Sequence, residues 1–274
     1  MKKQRLIIFL ALLCLMSASY AKTSSTAHLS YRIILDGKGI GEMRLSHIFH
    51  DNGKLEDIAL VSTANISGWW GDWSMQTQSR FQFDNATPVN FVHRINENDQ
   101  SHYIHGERQG SELWASVTEV KTQKQLSDEE FVGTALSITS QFVPAIGTAM
   151  SVGALLSDED PTKGQKIAMK DFDLTEEQIS AYISQQGYNF VDHAVKILNT
   201  ETLKIEQYVM NTKGKMVLSL ADRAFDCHVI HITGKGRDTT YWIAEENDHA
   251  FLIKETGKDS GDAYEVRLKN IIWE

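Results

Sequence analysis

The chain has 274 residues and carries 36 acidic against 27 basic side chains, a formal net charge of −9. That balance argues against nucleic-acid binding, which depends on Lys and Arg displacing phosphate counterions. With 42% hydrophobic residues and two cysteines, there is material for a sizeable core but no disulfide framework to staple a small one.

Residues 1–21 read as a signal peptide and not as part of the fold. Lys2, Lys3 and Arg5 form a positive start, residues 6–16 an apolar stretch too short to span a bilayer, and Ser19-Tyr20-Ala21 a small-residue cleavage site. Leu13 before Cys14, and the apolar residues after it, make Cys14 a poor lipidation site. Removing the leader's three basic residues leaves 24 against 36 acidic, a net charge of −12. No later apolar run reaches the ~20 residues of a membrane helix. The expectation is a soluble exported protein, periplasmic or secreted, with residues 22–274 forming a single β-rich domain. Its remaining cysteine, Cys227, near Val229 and Ile230, reads as a small buried hydrophobe and not as a reactive thiol.

The mature chain opens on a hairpin, residues 31–46. Tyr31, Ile33 and Leu35 alternate with Arg32 and Ile34, as in a strand covering a core. Asp36-Gly37 supplies the positive-φ positions of a tight turn, and Ile40, Met43 and Leu45 resume the apolar pattern. Gly41 marks a bulge or a close-packing point in the returning strand. These glycines do not form a dinucleotide fingerprint, because the residues after them alternate like a strand where that motif needs a helix.

The pattern Y-x-I-x-L-x-G-x-x-I-G-E, from Tyr31 to Glu42, resembles the opening of a family of secreted bacterial β-domains of unknown function. Those domains are similar in outline to the curved half-barrels of lipoprotein carriers. A looser similarity lies in Thr240-Tyr241-Trp242-Ile243-Ala244 and Phe251-Leu252-Ile253-Lys254. The resemblance implies an antiparallel β-fold and brings no catalytic motif.

Further strands are predicted at 56–65, 77–83, 89–96, 102–106 and 112–120, completing a first meander over residues 22–120. Between the first two lies Trp69-Trp70-Gly71-Asp72-Trp73, three tryptophans too crowded for one core face of one strand. They cap the sheet end or line a cavity mouth, where flat rings suit sugars or lipid chains. Residues 131–187 are expected to be a helical segment. Its first part holds Phe131, Phe142 and Met150 among small residues, broken at Pro144, and covers an open side of the sheet. Its last part starts at Thr175-Glu176-Glu177-Gln178, a capping-box signature, carries the stripe Ile179, Tyr182 and Ile183, and stops at Gly187. A second meander, residues 194–274, is predicted from strands at 194–198, 203–210, 216–220, 227–233, 239–244, 250–255 and 264–272.

Ten histidines raise a metal reading, which spacing weakens. His102 with His105, and His228 with His231, are three apart on strands and so point to opposite faces. Cys227, His231 and Asp226 make at most half a zinc site. No nucleophile elbow or zinc-binding H-E-x-x-H is present, and Glu245, Glu246 and Asp248 read as a solvated hairpin loop. No catalytic residue, metal or cofactor is therefore assigned.

The fold expected is mainly β, a curved antiparallel sheet or half-barrel with a short helical cover. The function expected is non-enzymatic: an envelope protein holding an apolar or amphipathic, lipid-like ligand in a sheet–helix cavity. Its proposed contacts are Trp69, Trp70, Trp73, Phe131, Phe142 and Met150, and an envelope protein is a further partner. The alternatives are a metal- or carboxylate-dependent hydrolase of envelope glycans, or a protein–protein interaction module. The expected mature N-terminus is Lys22, which N-terminal sequencing of periplasmic protein reads directly. Recovery of the chain in the cytoplasm with Met1 intact overturns it.

Overall fold

The computed structural model describes residues 25–49, 55–68, 71–84, 87–97, 100–120, 164–220, 223–234, 236–259 and 262–274. Within these, the strands are β1 (Ser25–Leu35), β2 (Lys38–Phe49), β3 (Leu55–Gly68), β4 (Gly71–Asp84), β5 (Thr87–Glu97), β6 (Gln100–Gln109), β7 (Glu112–Val120) and β8 (Gln165–Ala168). Then come β9 (Leu174–Thr175), helix α1 (Ile179–Gln185), β10 (His193–Asn199), β11 (Lys204–Leu220), β12 (Arg223–Gly234), β13 (Arg237–Glu246), β14 (His249–Asp259) and β15 (Asp262–Trp273). All fifteen strands lie in one sheet, ordered β8 through β1 and then β15 through β9. Every pairing is antiparallel except β9 with β10. The first and last strands meet at the middle of the sheet, Leu29 opposite Ile271 and Ile33 opposite Val266.

Curvature follows from connectivity. The two edge strands, β8 and β9, are separated by only Met169–Asp173, a link that spans at most ~20 Å from Ala168 to Leu174. Fifteen strands laid flat at about 4.8 Å spacing would be some 65–70 Å wide. The sheet must therefore curl until its edges approach, as expected of a half-barrel. The halves do meet across the concave side: Phe172, Leu198 and Leu203 share a core with Phe91, Ile104 and Leu113 of the first meander.

Period-two alternation decides what faces inward. On β1, Ala27, Leu29, Tyr31 and Ile33 are buried, and the cross-strand neighbours Met43, Leu45, Ile58, Leu60, Phe81, Phe91 and Ile104 continue that face. The β1–β2 turn is the two-residue one that Asp36-Gly37 predicts, with φ of 46° and 77°. A register shift beside it leaves Ile40 as the extra residue, so Gly41 stands next to a bulge.

Two strands read separately from sequence, 203–210 and 216–220, are one continuous β11. The polar run Asn211-Thr212-Lys213-Gly214 looks like a turn, but a register shift between Thr212 and Gly214, with Gly214 at φ 115°, carries the strand through it. Sequence reading missed the short β8 and β9, which lie inside the region expected to be helical. Of that region, residues 131–163 lie outside the described residues. Among the described residues, no helix is long and apolar enough to cross a membrane.

At Gly41 the backbone of β3 lies close against β2. A Cβ there would stand 2.1 Å from the backbone oxygen of Thr63, which no rotamer change relieves. Gly41→Ala should destabilise by about 1–3 kcal/mol or more, measured as a fall in the denaturation midpoint. A variant as stable as the parent would overturn this packing.

Candidate functional site

The short segment after β9 carries polar groups into the hollow of the sheet. The N–H of Thr175 donates to Gln178 Oε1 (3.0 Å) in the predicted capping box. Its first turn is a 3-10 turn, Glu176–Gln178, and α1 follows. At the other end Gly187, at φ 81°, is followed by Tyr188, whose N–H reaches back to the Ile183 carbonyl (3.2 Å). Ile179 and Ile183 bury against Tyr188, Phe190, Ile230, Tyr241 and Ile243 in a second apolar cluster. Glu245, exposed at the hairpin as expected, also accepts from Ser184 Oγ (2.9 Å) and Tyr188 Oη (2.6 Å), pinning the end of α1 to β13.

With the helix so held, Glu176 and Glu177 point inward. Glu176 meets Arg237 (Nη1 to Oε1, 2.5 Å) and accepts from Asn199 Nδ2 (2.8 Å). Arg237 also donates to Tyr241 Oη and lies over the Tyr208 ring, 5.2 Å from its centre. Glu255, 1% exposed on β14, accepts from Tyr264 Oη (2.7 Å). Glu177 accepts from Thr200 Oγ1 (2.8 Å), and Thr200 contacts His93 Nε2 (2.9 Å). His93 Nδ1 in turn meets Ser79 Oγ (2.9 Å). With Glu177 ionised, the single Thr200 hydroxyl proton goes to it, so His93 donates from Nε2 and accepts from Ser79 at Nδ1. Burial agrees with a neutral ring, lowering the His93 pKa to about 3.

Burial also favours the uncharged form of the carboxyls. Loss of solvation, then the neighbouring Glu176 charge, pushes Glu177 up to about 7. Desolvation pushes Glu255 up to about 7 against the pull of Arg237, and raises Glu176 as well. Glu201, half-buried in the turn after β10, rises to about 8 through desolvation and the charges of Glu176 and Glu177.

Two small cavities flank this cluster. One of about 30 Å³ is lined by Tyr31, Leu45, His47, Glu176, Glu177 and Glu255, among others. The other, about 60 Å³, touches Phe49, Leu55, Asp248 and His249, and shares His47, Glu177 and Ser180 with the first. A larger groove of about 550 Å³ lies elsewhere, among Ile34, Asp238, Lys258, Glu265 and Arg267. Glu265 there is already engaged by Lys254 and Arg267, and Asp238 by His231.

The sequence-predicted contacts are placed less fully. Trp69, Trp70, Phe131, Phe142 and Met150 lie outside the described residues. The backbone of Trp73 pairs with Ile66 on β3, close to the end of the β3–β4 hairpin. His228 and His231 split as their spacing predicts: His228 stacks on Tyr188, 3.9 Å between ring centres, whereas His231 turns away to Asp238 (2.7 Å). Among the described residues no group of three His, Cys, Asp or Glu is placed to hold a metal ion.

Sequence reading missed Glu176, Glu177, Glu201, Glu255, Arg237, His47 and His93 as a group. The first two were assigned to the helix cap, which they also serve. A signal existed only for Glu255, whose place two residues after Ile253 puts an acid on an inward position.

No family model matches the sequence, and no curated protein matches it. Among solved structures, the chain is similar to a β-barrel-like protein of a domain of unknown function, DUF1849, from Brucella abortus. The TM-score is 0.54 at 7% identity, over 91% of this chain and 98% of that one. The likeness carries the β-barrel-like fold. It does not extend to the Tyr31–Glu42 motif or to the family that motif suggested.

A carboxyl whose pKa is higher folded than unfolded stabilises the protein below its unfolded value, near 4.5, and that stability is lost as pH rises to the folded value. For Glu177 and Glu255 the window runs from about 4.5 to 7. These two carboxyls therefore pull the melting temperature down between pH 5 and pH 7, at about 2–4 °C per kcal/mol for a chain of this size, while the buried neutral His47 and His93, lowered to about 3, pull it up until about pH 6.5. Glu177→Gln should remove part of that downward pull in thermal melts. An unchanged slope in the variant would show that Glu177 does not titrate in this way.

Proposed function

We propose that this is a non-enzymatic exported envelope protein that holds an apolar or amphipathic, lipid-like ligand on the concave side of its sheet. One observation supports the reading above others. The inward face of the first meander is a continuous apolar surface interrupted by Ser62, Thr77 and His102, each 2% exposed and without a hydrogen-bond partner. A core that only filled itself would place apolar or partnered side chains there, since an unsatisfied buried polar atom costs about 1–3 kcal/mol. Such positions suit a ligand that brings both methylenes and polar atoms.

In this reading Trp69, Trp70 and Trp73 stand near the mouth, and Phe131, Phe142 and Met150 belong to the cover. Each methylene removed from water contributes about 0.8 kcal/mol, so a partly enclosed acyl chain is held usefully. Titration with cis-parinaric acid, read by its own fluorescence and by energy transfer from tryptophan, tests the reading. Saturable binding is expected, weakened about tenfold by Trp70→Ala or Phe142→Ala, the loss of one large ring contact. No saturable signal, or variants that bind like the parent, would refute it.

A further inference from the structure

We infer that the paired cavities beside α1 form a receptor for a primary ammonium group, the head of an amphipathic amine. The inference rests on the ligand-holding reading above and names the chemistry of its polar end.

His47 carries the argument. It is 5% exposed, both of its ring nitrogens lack a partner, and it lines both cavities. Its ring is fixed by packing, edge-on to Phe49 with centres 5.5 Å apart and 5.9 Å from Phe251. Glu177 lines the same two cavities, and while Oε1 is taken by Thr200, Oε2 has no partner. A carboxylate oxygen and a neutral imidazole nitrogen are both acceptors; neither His47 nitrogen has a donor, and beyond Thr200 the Glu177 carboxylate has only the adjacent Thr175 hydroxyl and its own N–H. Ser180 lies on both walls, and Glu176 and Glu255 close the first cavity.

Size and charge then select among donors. Cavities of about 30 and 60 Å³ take groups on the scale of one or a few waters. An ammonium has that size, carries three N–H donors and answers the surplus of carboxylates, because Arg237 is already committed to Glu176. A guanidinium is wider and seeks two free oxygens of one carboxylate, of which Glu177 offers one. A carboxylate or phosphate head would face Glu176, Glu177 and Glu255 together. Calcium would need six to eight oxygens, more than His47 and one free carboxylate oxygen supply. Leu45, Ile179 and Leu252 on one wall, and Phe49, Leu55 and Ala250 on the other, give the first carbons of an attached chain apolar contacts, and the rest of that chain lies outside these cavities.

Isothermal titration of the mature protein at pH 7.5 with dodecylamine, dodecanol and dodecanoate, all below micelle formation, separates head from tail. Dodecylamine should bind at least about tenfold more tightly than dodecanol, the increment of one good charge-assisted hydrogen bond. Glu177→Gln, close to isosteric, and His47→Phe, which keeps the ring, should each reduce that preference below about threefold, by weakening dodecylamine binding more than dodecanol binding. Equal binding of amine and alcohol would overturn the ammonium site and leave the ligand-holding reading standing. Tighter binding of dodecanoate would overturn it likewise. No binding of any of the three would overturn both. A preference that survives in both variants would place the amine elsewhere and overturn this site.

Discussion

The pairing of β1 with β15 is the constraint on which the rest of the molecule depends. It joins the two meanders into one sheet at its centre, so that each meander runs outward to an edge of its own. The five-residue link between those edges then forces the sheet to curl, and the curl creates a concave side. Had the terminal strands stayed apart, β1 and β15 would be exposed edges, with unpaired N–H and C=O groups along some ten residues each. The interior polar cluster also needs this geometry. Glu177 comes from the turn after β9, His93 from β5 and Thr200 from the turn after β10, and only a curled sheet brings the three into line.

That interior is unusual in what it buries. Most β-folds of this size fill themselves with aliphatic and aromatic side chains, and the first cluster here does so around Phe81, Phe91 and Ile104. Beside it stand four carboxyl groups and a guanidinium held by three tyrosines and a helix turn. Replacing such groups with well-packed hydrophobes is often neutral or stabilising, so their presence is poor evidence for stability and better evidence for a task. The hydrogen bonds that hold them are well made wherever they concern position, as at Glu176 and Glu255. They are missing at Glu177 Oε2 and at both ring nitrogens of His47, the positions the proposed ammonium site uses.

Local chemistry was legible in the sequence, and assembly was not. Asp36-Gly37 announced a two-residue turn because only such residues accept positive φ at both positions, and Thr175 to Gln178 announced a capped helix start. Alternation announced the strands, apart from the short β8 and β9 in the region expected to be helical, and from β11, where a bulge carries the strand through a run of turn-forming residues. The acidic cluster left no local trace. Two of its members sit where helix starts favour acids in any case, and the others are 25 to 80 residues away in sequence. An acid at a helix start looks the same whether it faces solvent or a hollow, and the difference lies in the sheet that closes over it. The tryptophan run was conspicuous for the opposite reason, since its density alone conflicts with a single core face.

The central pairing also governs when the molecule can become itself. Residues 27–35 find their partners at 264–273, nearly the whole chain later, so the contact that completes the sheet is the most distant one available. Loop closure of that length must precede any reward from the strands it joins, which places this fold among the slow ones. Until β15 arrives, the β1–β2 hairpin holds an open, largely apolar edge, the kind of surface that recruits strands from other chains. A chain cut short anywhere before residue 264 can form its first meander and still has nothing to seal it. Its fate is then decided by whatever else can pair with β1.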